Sequence, residues 1–329
     1  MENASEAIPG SKLPQAFVFR RLHSLLGFWL VLYIIEHLLV NSQAALFIGD
    51  DGSGFIRAVN GIHDLPYLPV IELMLLGVPI VLHAVWGIHY IFTAKYNSYA
   101  TDGSKPDLRV YPRNHAYTWQ RITSWILVVG IAAHVIHMRF IEYPMRAPEP
   151  ASQGGAHAYM VRLEGDKGLY TLQERLNFSL YTPQQVAEIP HALPPENVTK
   201  HAKAHHVLHQ RLISAQAAEQ YKHWVDVLQS KPLQGGQLMA VAHDFGTAEL
   251  LVVRDTFKSP LMLVLYTLLV LATCFHAFNG LWTFMISWGV TLSEYSQKIM
   301  RCVTTALMIL VSFLGLAAIW GTYWINLYH

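Results

Sequence analysis

Phe275-His276-Ala277-Phe278-Asn279-Gly280-Leu281-Trp282 sets an imidazole late in a long apolar run, with a glycine about one turn further on. An apolar run of roughly 20 residues can cross a bilayer as a helix. An ionisable side chain at that depth is costly and is kept mainly for function. The glycine lets something flat come close. His37, His83 and His134 sit about as deep in three other apolar runs.

Composition fits a membrane setting. Of the 329 residues, 53% are hydrophobic and 14% charged, where a soluble domain usually carries about 25% charged residues. A net charge of +1 gives no basis for nucleic-acid binding. Cys274 and Cys302, the two cysteines, lie in apolar runs. That excludes a disulfide framework, a four-cysteine zinc site and, without a C-x-x-C-H, covalent haem attachment. The N-terminal stretch is polar up to Phe17 and has no apolar core with a cleavage site, so no secretory leader is expected.

Five apolar segments near 21–48, 66–96, 115–143, 258–289 and 301–326 are long enough to span. Lys12, Arg20 and Arg21 precede the first. Lys95, Lys105, Arg109, Arg113 and Arg121 lie around the second connection, and Lys298 and Arg301 in the fourth. The first connection has only Arg57, beside Asp50, Asp51 and Asp64. By the positive-inside rule the N-terminus is cytoplasmic and, after five spans, the C-terminus is outside. The expected architecture is an all-α membrane protein. It has a cytoplasmic segment 1–20, three spans within 21–143, an extracytoplasmic insert 144–257 and two spans within 258–329. The insert is expected to be helical over 198–229 and 237–253.

An α-helix rises about 1.5 Å per residue across a hydrocarbon core about 30 Å thick. His37 and His134, on outward-running spans, then lie roughly 22 and 26 Å from the inner face. His83 and His276, on inward-running spans, lie about 8 Å from it. A lone membrane histidine is more often a hydrogen-bonding helix contact than a ligand, but four in two matched levels weigh towards ligation. Pairing His37 with His134 and His83 with His276 gives two metal centres by axial ligation, for which non-covalent b-type haem is the candidate. Alternate helices of a bundle face each other across its core. Two stacked haems are therefore expected, four helices around them, with centres roughly 15 Å apart.

Other polar residues read differently. His23, His89 and His137 come out near the interfaces, where structural roles are expected. His63, beside Asp64, stands open between a loop contact and a quinone neighbour. Gly27, Gly87, Gly130 and Gly280 give room to a porphyrin or serve helix packing. Glu36 and Glu72 are buried by depth and either relay protons or bond neighbouring helices. In the insert His201, His205 and His209 share one helix face. With no cysteine or closely spaced carboxylate to complete a zinc or copper site, a solvated face is expected there.

Several stretches resemble the single-subunit dihaem cytochrome b anchor of bacterial succinate dehydrogenase and fumarate reductase. They are Phe19-Arg20-Arg21-Leu22-His23-Ser24-Leu25-Leu26-Gly27, Glu36-His37-Leu38-Leu39-Val40-Asn41, His83-Ala84-Val85-Trp86-Gly87 with Phe92-Thr93-Ala94-Lys95, and Trp119-Gln120-Arg121-Ile122-Thr123. The opening octapeptide, with Ser287-Trp288-Gly289, completes the set. The resemblance covers all five spans, whereas the long insert departs from compact members of that family. It implies axial ligands at His37, His83, His134 and His276, paired as above.

The resemblance further implies the membrane anchor and electron conduit of a bacterial cytoplasmic-membrane complex. A flavoprotein with FAD and an iron–sulfur subunit are the implied partners, and a quinone, menaquinone, the implied electron carrier. Arg20, Arg21, His23, Ser24 and Arg121 are then expected at the inner haem's propionates and Arg139 at the outer one's. Asn41, His63, Asp64 and Arg139 are expected near an outer quinone. The chain itself offers no catalytic dicarboxylate or flavin site. Two other readings stay open: the dihaem anchor of a formate or hydrogen dehydrogenase, and a non-redox metal transporter.

Overall fold

The computed structural model describes residues 14–47, 49–93, 110–149, 157–191 and 204–328, without the side chains of 112, 204–214 and 328. Lys12, Lys95, Lys105, Arg109 and His201 lie outside the described residues, as do the side chains of His205, His206 and His209. In chain order the helices before the insert are α1 (Gln15–Ser42), α2 (Ser53–His63), α3 (Leu68–Thr93) and α4 (Arg113–Ile141). The insert holds β1 (Met145–Pro148), β2 (His157–Glu164), α5 (Lys167–Leu176), β3 (Ser179–Tyr181) and α6 (Pro183–Glu188). It continues with α7 (Ala204–Gln229), β4 (Gln237–Ala242) and α8 (Phe245–Thr256). Helices α9 (Pro260–Ser287) and α10 (Glu294–Leu327) close the chain.

Helices α1, α3, α4, α9 and α10 are long and apolar enough to cross a membrane. The fold is that of an all-α membrane protein, with one departure inside the insert. Large apolar side chains such as Leu73, Val81, Val129, Leu261 and Ile309 stay exposed, as lipid-facing helix surfaces require. Three spans carry a widened turn, at Leu73–Gly77, Ile136–Ile141 and Ala317–Gly321. In the first two, the Val78 amide reaches the Leu73 carbonyl and the Glu142 amide the His137 carbonyl, one residue beyond the α-helical partner. The Trp29 indole donates to the Leu75 carbonyl (2.7 Å), supplying a donor inside the widened turn of α3.

The first span was expected to run to about residue 48, but α1 ends at Ser42. The chain then turns, and Asp50 organises the start of a further helix. Its carboxylate accepts from the Gly52 amide (2.9 Å) and the Ser53 hydroxyl (3.2 Å), with Gly52 in the left-handed region (φ 80°). The resulting α2, Ser53–His63, was not anticipated.

The insert corrects a second expectation. Residues 237–253 are not one helix: Gln237–Ala242 is a strand and the helix begins at Phe245. Four antiparallel strands form a sheet in the order β1-β2-β4-β3. One face buries Val161, Leu163, Leu238 and Ala240 against α5 and α8, through Leu169, Leu172, Leu251 and Val252. The other buries Ala158, Met160, Met239 and Val241 against α6 and α7, through Val186, Val225 and Leu228. Because β4 is covered on both faces, Leu-Met-Ala-Val-Ala lacks the polar alternation of a half-exposed strand. Periodicity cannot separate such a run from a buried helix.

The described residues divide into two compact units. One consists of the described parts of Met1–Glu36, Pro69–Val129 and Leu271–Val311 and holds His83 and His276. The other consists of those of His37–Leu68, Gly130–Val270 and Ser312–His329 and holds His37, His134 and the insert. In the second unit α2 packs on α8. The Asn60 amide nitrogen donates to Asp244 Oδ1 and its oxygen accepts from the Gly246 amide, both at 2.7 Å. Gly246 allows this approach, since a Cβ there would meet the Ile56 carbonyl oxygen at 2.5 Å. The Asn326 side chain donates to the Arg254 carbonyl (2.7 Å), tying the end of α10 to the same helix.

Two outcomes follow for the insert. Asn60→Ala strips the buried Gly246 amide of its acceptor and should destabilise the insert by about 1–3 kcal/mol. Limited proteolysis of the purified protein would read this as faster cleavage within 144–257, and an unchanged rate would deny the pairing any weight. Burial pushes the Glu249 carboxyl of α8 from 4.5 up to about 7, with Arg139 pulling the other way. The folded state thus keeps a proton that the unfolded chain has released. Stability is full below about pH 4.5, falls as pH rises to about 7, and is flat beyond. Glu249→Gln should abolish this slope and gain at most about 3 kcal/mol at pH 8, as seen in thermal midpoints taken across that range.

Candidate metal centres

In the first unit the His83 and His276 rings stand 6.3 Å apart, centre to centre, with planes at 83°. Both Nδ1 atoms are committed. That of His83 donates to the His23 backbone carbonyl (3.1 Å). That of His276 lies 3.4 Å from Thr123 Oγ1 and 3.5 Å from Ser124 Oγ. Those hydroxyls already donate to the Trp119 and Gln120 carbonyls (2.8 and 2.7 Å). Towards His276 they can only accept, so Nδ1 carries the hydrogen. In both rings Nε2 is left with its lone pair, the state a metal needs.

The backbone around this pair is fixed as well. Gln120 Nε2 donates to the His276 carbonyl (3.0 Å), while its oxygen accepts from Asn279 (2.7 Å). The His23 ring stacks on His83 at 4.0 Å and 9°. Gly27 faces the same ring, and a Cβ there would come within 2.9 Å of its Cε1.

In the second unit His37 and His134 stand 6.0 Å apart with planes at 74°. The Tyr266 hydroxyl lies 3.2 Å from His134 Nδ1 and 3.4 Å from His137 Nδ1. It has one hydrogen, so it donates to one ring and accepts from the other. Donation to His137 and acceptance from His134 frees His134 Nε2. The Asn41 amide donates to the His37 carbonyl (2.8 Å).

Two imidazoles bound on opposite sides of one metal, each through a bond of about 2 Å, have ring centres about 6 Å apart. Both pairs meet that span. Among the described residues no group of three or more His, Cys, Asp or Glu side chains could hold a metal. Two-point axial ligation in a tetrapyrrole is the arrangement these pairs fit, since the macrocycle supplies the remaining ligands.

The remaining site residues scatter. Arg20 is exposed. Arg21 lies over the Trp288 ring (5.2 Å), whose indole donates to Ser24 (3.3 Å). Arg121 is buried with its guanidinium 4.5 Å from the Tyr117 ring. His63 stacks on Phe245 (3.9 Å) with Nε2 3.3 Å from the Tyr159 hydroxyl, so the insert covers it. Arg139 sits over Tyr143 (4.5 Å), which in turn meets Phe245 (5.4 Å). The Asp64 amide caps the end of α2. Thr123, Ser124, Gln120, Tyr266 and the backbone of His23 were missed as partners of the imidazoles. Their signal was a hydrogen-bonding group inside an apolar span, where it must find a partner.

Comparison with known proteins adds one relative. The chain is 25% identical over 306 residues, 93% of its own length and 96% of the other's, to the succinate dehydrogenase cytochrome b558 subunit of Bacillus subtilis (strain 168). The resemblance to the dihaem cytochrome b anchor therefore runs nearly the full length of the chain. No protein-family model matches the chain, and no solved structure does.

Changing each of His37, His83, His134 and His276 to Leu should remove one b-type signal, or convert it to high spin, in a reduced-minus-oxidised spectrum. Tyr266→Phe should shift the signal that His134→Leu abolishes and leave the other unchanged. His89→Leu should leave both. A chain that kept two low-spin signals after loss of any one of the four would carry its metal elsewhere.

Proposed function

We propose that this chain is the membrane anchor and electron conduit of a succinate:quinone oxidoreductase. It would connect a cytoplasmic iron–sulfur subunit, partnered by an FAD flavoprotein, with a membrane quinone, menaquinone by the resemblance. The observation that carries this reading is the spacing of the two imidazole pairs, on a chain similar along its length to a succinate dehydrogenase cytochrome b subunit. Each b haem would supply a one-electron centre inside the bilayer.

The chain's own residues have separable tasks. His83 and His276 would hold one group and His37 and His134 the other. The Nδ1 partners His23, Thr123, Ser124 and Tyr266 orient the rings and hold the tautomer that presents Nε2. Apolar spans exclude water from these pairs. Arg20, Arg21 and Arg121 would counter propionate charge at the cytoplasmic end, and Arg139 at the other. Quinone reduction consumes protons, and the His63–Tyr159 contact with neighbouring Asp64 would offer exchangeable ones in the outer connection. The positive charges favour an N-terminus in the cytoplasm and an insert on the far side of a bacterial cytoplasmic membrane.

The test is purification of the tagged chain from its own membrane. A flavoprotein and an iron–sulfur protein should accompany it, and succinate should reduce its b-type absorbance. Co-purification with a formate- or hydrogen-oxidising enzyme, or a preparation without b-type absorbance, would overturn the assignment.

A further inference from the structure

The first unit contains a cleft of about 230 Å³ between α4, α9 and α10, one of whose lining residues, Asn279, also holds Gln120 beside His276. On α9 it is lined by Phe275, Phe278, Asn279 and Trp282, which share one helix face at i, i+3, i+4 and i+7. His276 points about a third of a turn away from that face, given 3.6 residues per turn. The cleft is therefore separate from the His83–His276 pair.

Its chemistry is two-sided. Phe275, Phe278 and Met308 make an apolar wall, and Arg113 and Arg301 are the charged side chains that line it. Both arginines are exposed, and neither has an ion-pair partner among the described residues. Arg113 is steered by Gln297, to which it donates (3.2 Å), and by the Trp282 ring 5.4 Å from its guanidinium. Asn279 spends its amide on Gln120 (2.7 Å), so it is not the group that calls for a ligand.

Position completes the picture. Arg113 is the first residue of α4, and Arg301 stands seven residues into α10, roughly 10 Å of helix rise. A long arginine stem covers part of that distance toward the headgroup level. The same end of the spans carries the excess of Lys and Arg, the leaflet where anionic headgroups concentrate and basic pockets between helices bind them. We propose that this cleft is a binding site for an anionic phospholipid. Arg113 and Arg301 hold its phosphate through charge-assisted hydrogen bonds, and an acyl chain lies along Phe275, Phe278 and Met308. A quinone ring, being uncharged, would leave both guanidinium groups uncompensated. The site requires the membrane setting and is independent of the electron-transfer assignment.

The protein is taken as purified, with whatever subunits accompany it, into nanodiscs of equimolar phosphatidylglycerol and phosphatidylcholine, and retained lipid is read by native mass spectrometry. Phosphatidylglycerol should be kept over phosphatidylcholine by roughly thirtyfold, about fivefold per arginine. Arg113→Gln/Arg301→Gln should erase that preference, whereas Arg113→Lys/Arg301→Lys should keep most of it, with b-type absorbance unchanged in both. Arg146→Gln, on the insert, should have no effect. Equal retention of the two lipids by the unsubstituted protein overturns the proposal, and decides the case even if the double variant does not accumulate. A preference that survives Arg113→Gln/Arg301→Gln overturns it too. Displacement of phosphatidylglycerol by excess inorganic phosphate would identify a free-phosphate site instead, and retention of quinone in place of lipid would identify a quinone site.

Discussion

A neutral imidazole can bind a metal through one nitrogen only if the other holds the hydrogen. Inside a bilayer, where no water can take that hydrogen, the protein must supply the acceptor. In the first unit the contacts of two imidazoles meet this condition. The His23 carbonyl serves His83, and Thr123 and Ser124 serve His276 because their own hydrogens are spent on helix carbonyls. Gln120 then fixes the backbone of His276, and Asn279 fixes Gln120. Gly27 follows as a steric consequence, since a side chain there would strike the ring so held.

In the second unit a tyrosine can meet this condition for His134, accepting its hydrogen while giving its own to His137. Tyr266 leans its ring on Phe257 (5.3 Å) and turns its hydroxyl between His134 and His137. The insert is joined to this unit through short polar clamps, Asn60 to Asp244 and Gly246, and Asn326 to Arg254. Its sheet has a core on each face, supplied mostly by the insert's own helices, with Met138 of α4 packed against one of them. It adds a lid over His63 without lengthening any span.

The spans were legible because bilayer thickness fixes a minimum apolar length, and which imidazoles meet was legible because helix rise fixes depth. Rise says nothing about rotation around each helix axis. Thr123, Ser124 and Tyr266 stand in the sequence as hydroxyls within apolar runs, yet nothing there tells which ring each one faces. For α2 the signal was present in the spacing of Phe55, Val59 and Ile62, but the helix is short and sits among acidic turn residues. In β4 the two buried faces erased the alternation that marks a strand. His63 shows the remaining limit: whether it meets solvent, quinone or protein depends on a sheet more than 80 residues away in the chain.

The widened turns in α3, α4 and α10 bear on how such chains diverge. A π-turn is a helix that has absorbed one additional residue. Removing one residue from Ile136–Ile141 would restore ordinary winding and leave the helix on either side close to its present phase. Between distant relatives, a one-residue gap inside a span of this kind marks the loss of a widened turn, and residues on its two sides stay in one frame of correspondence.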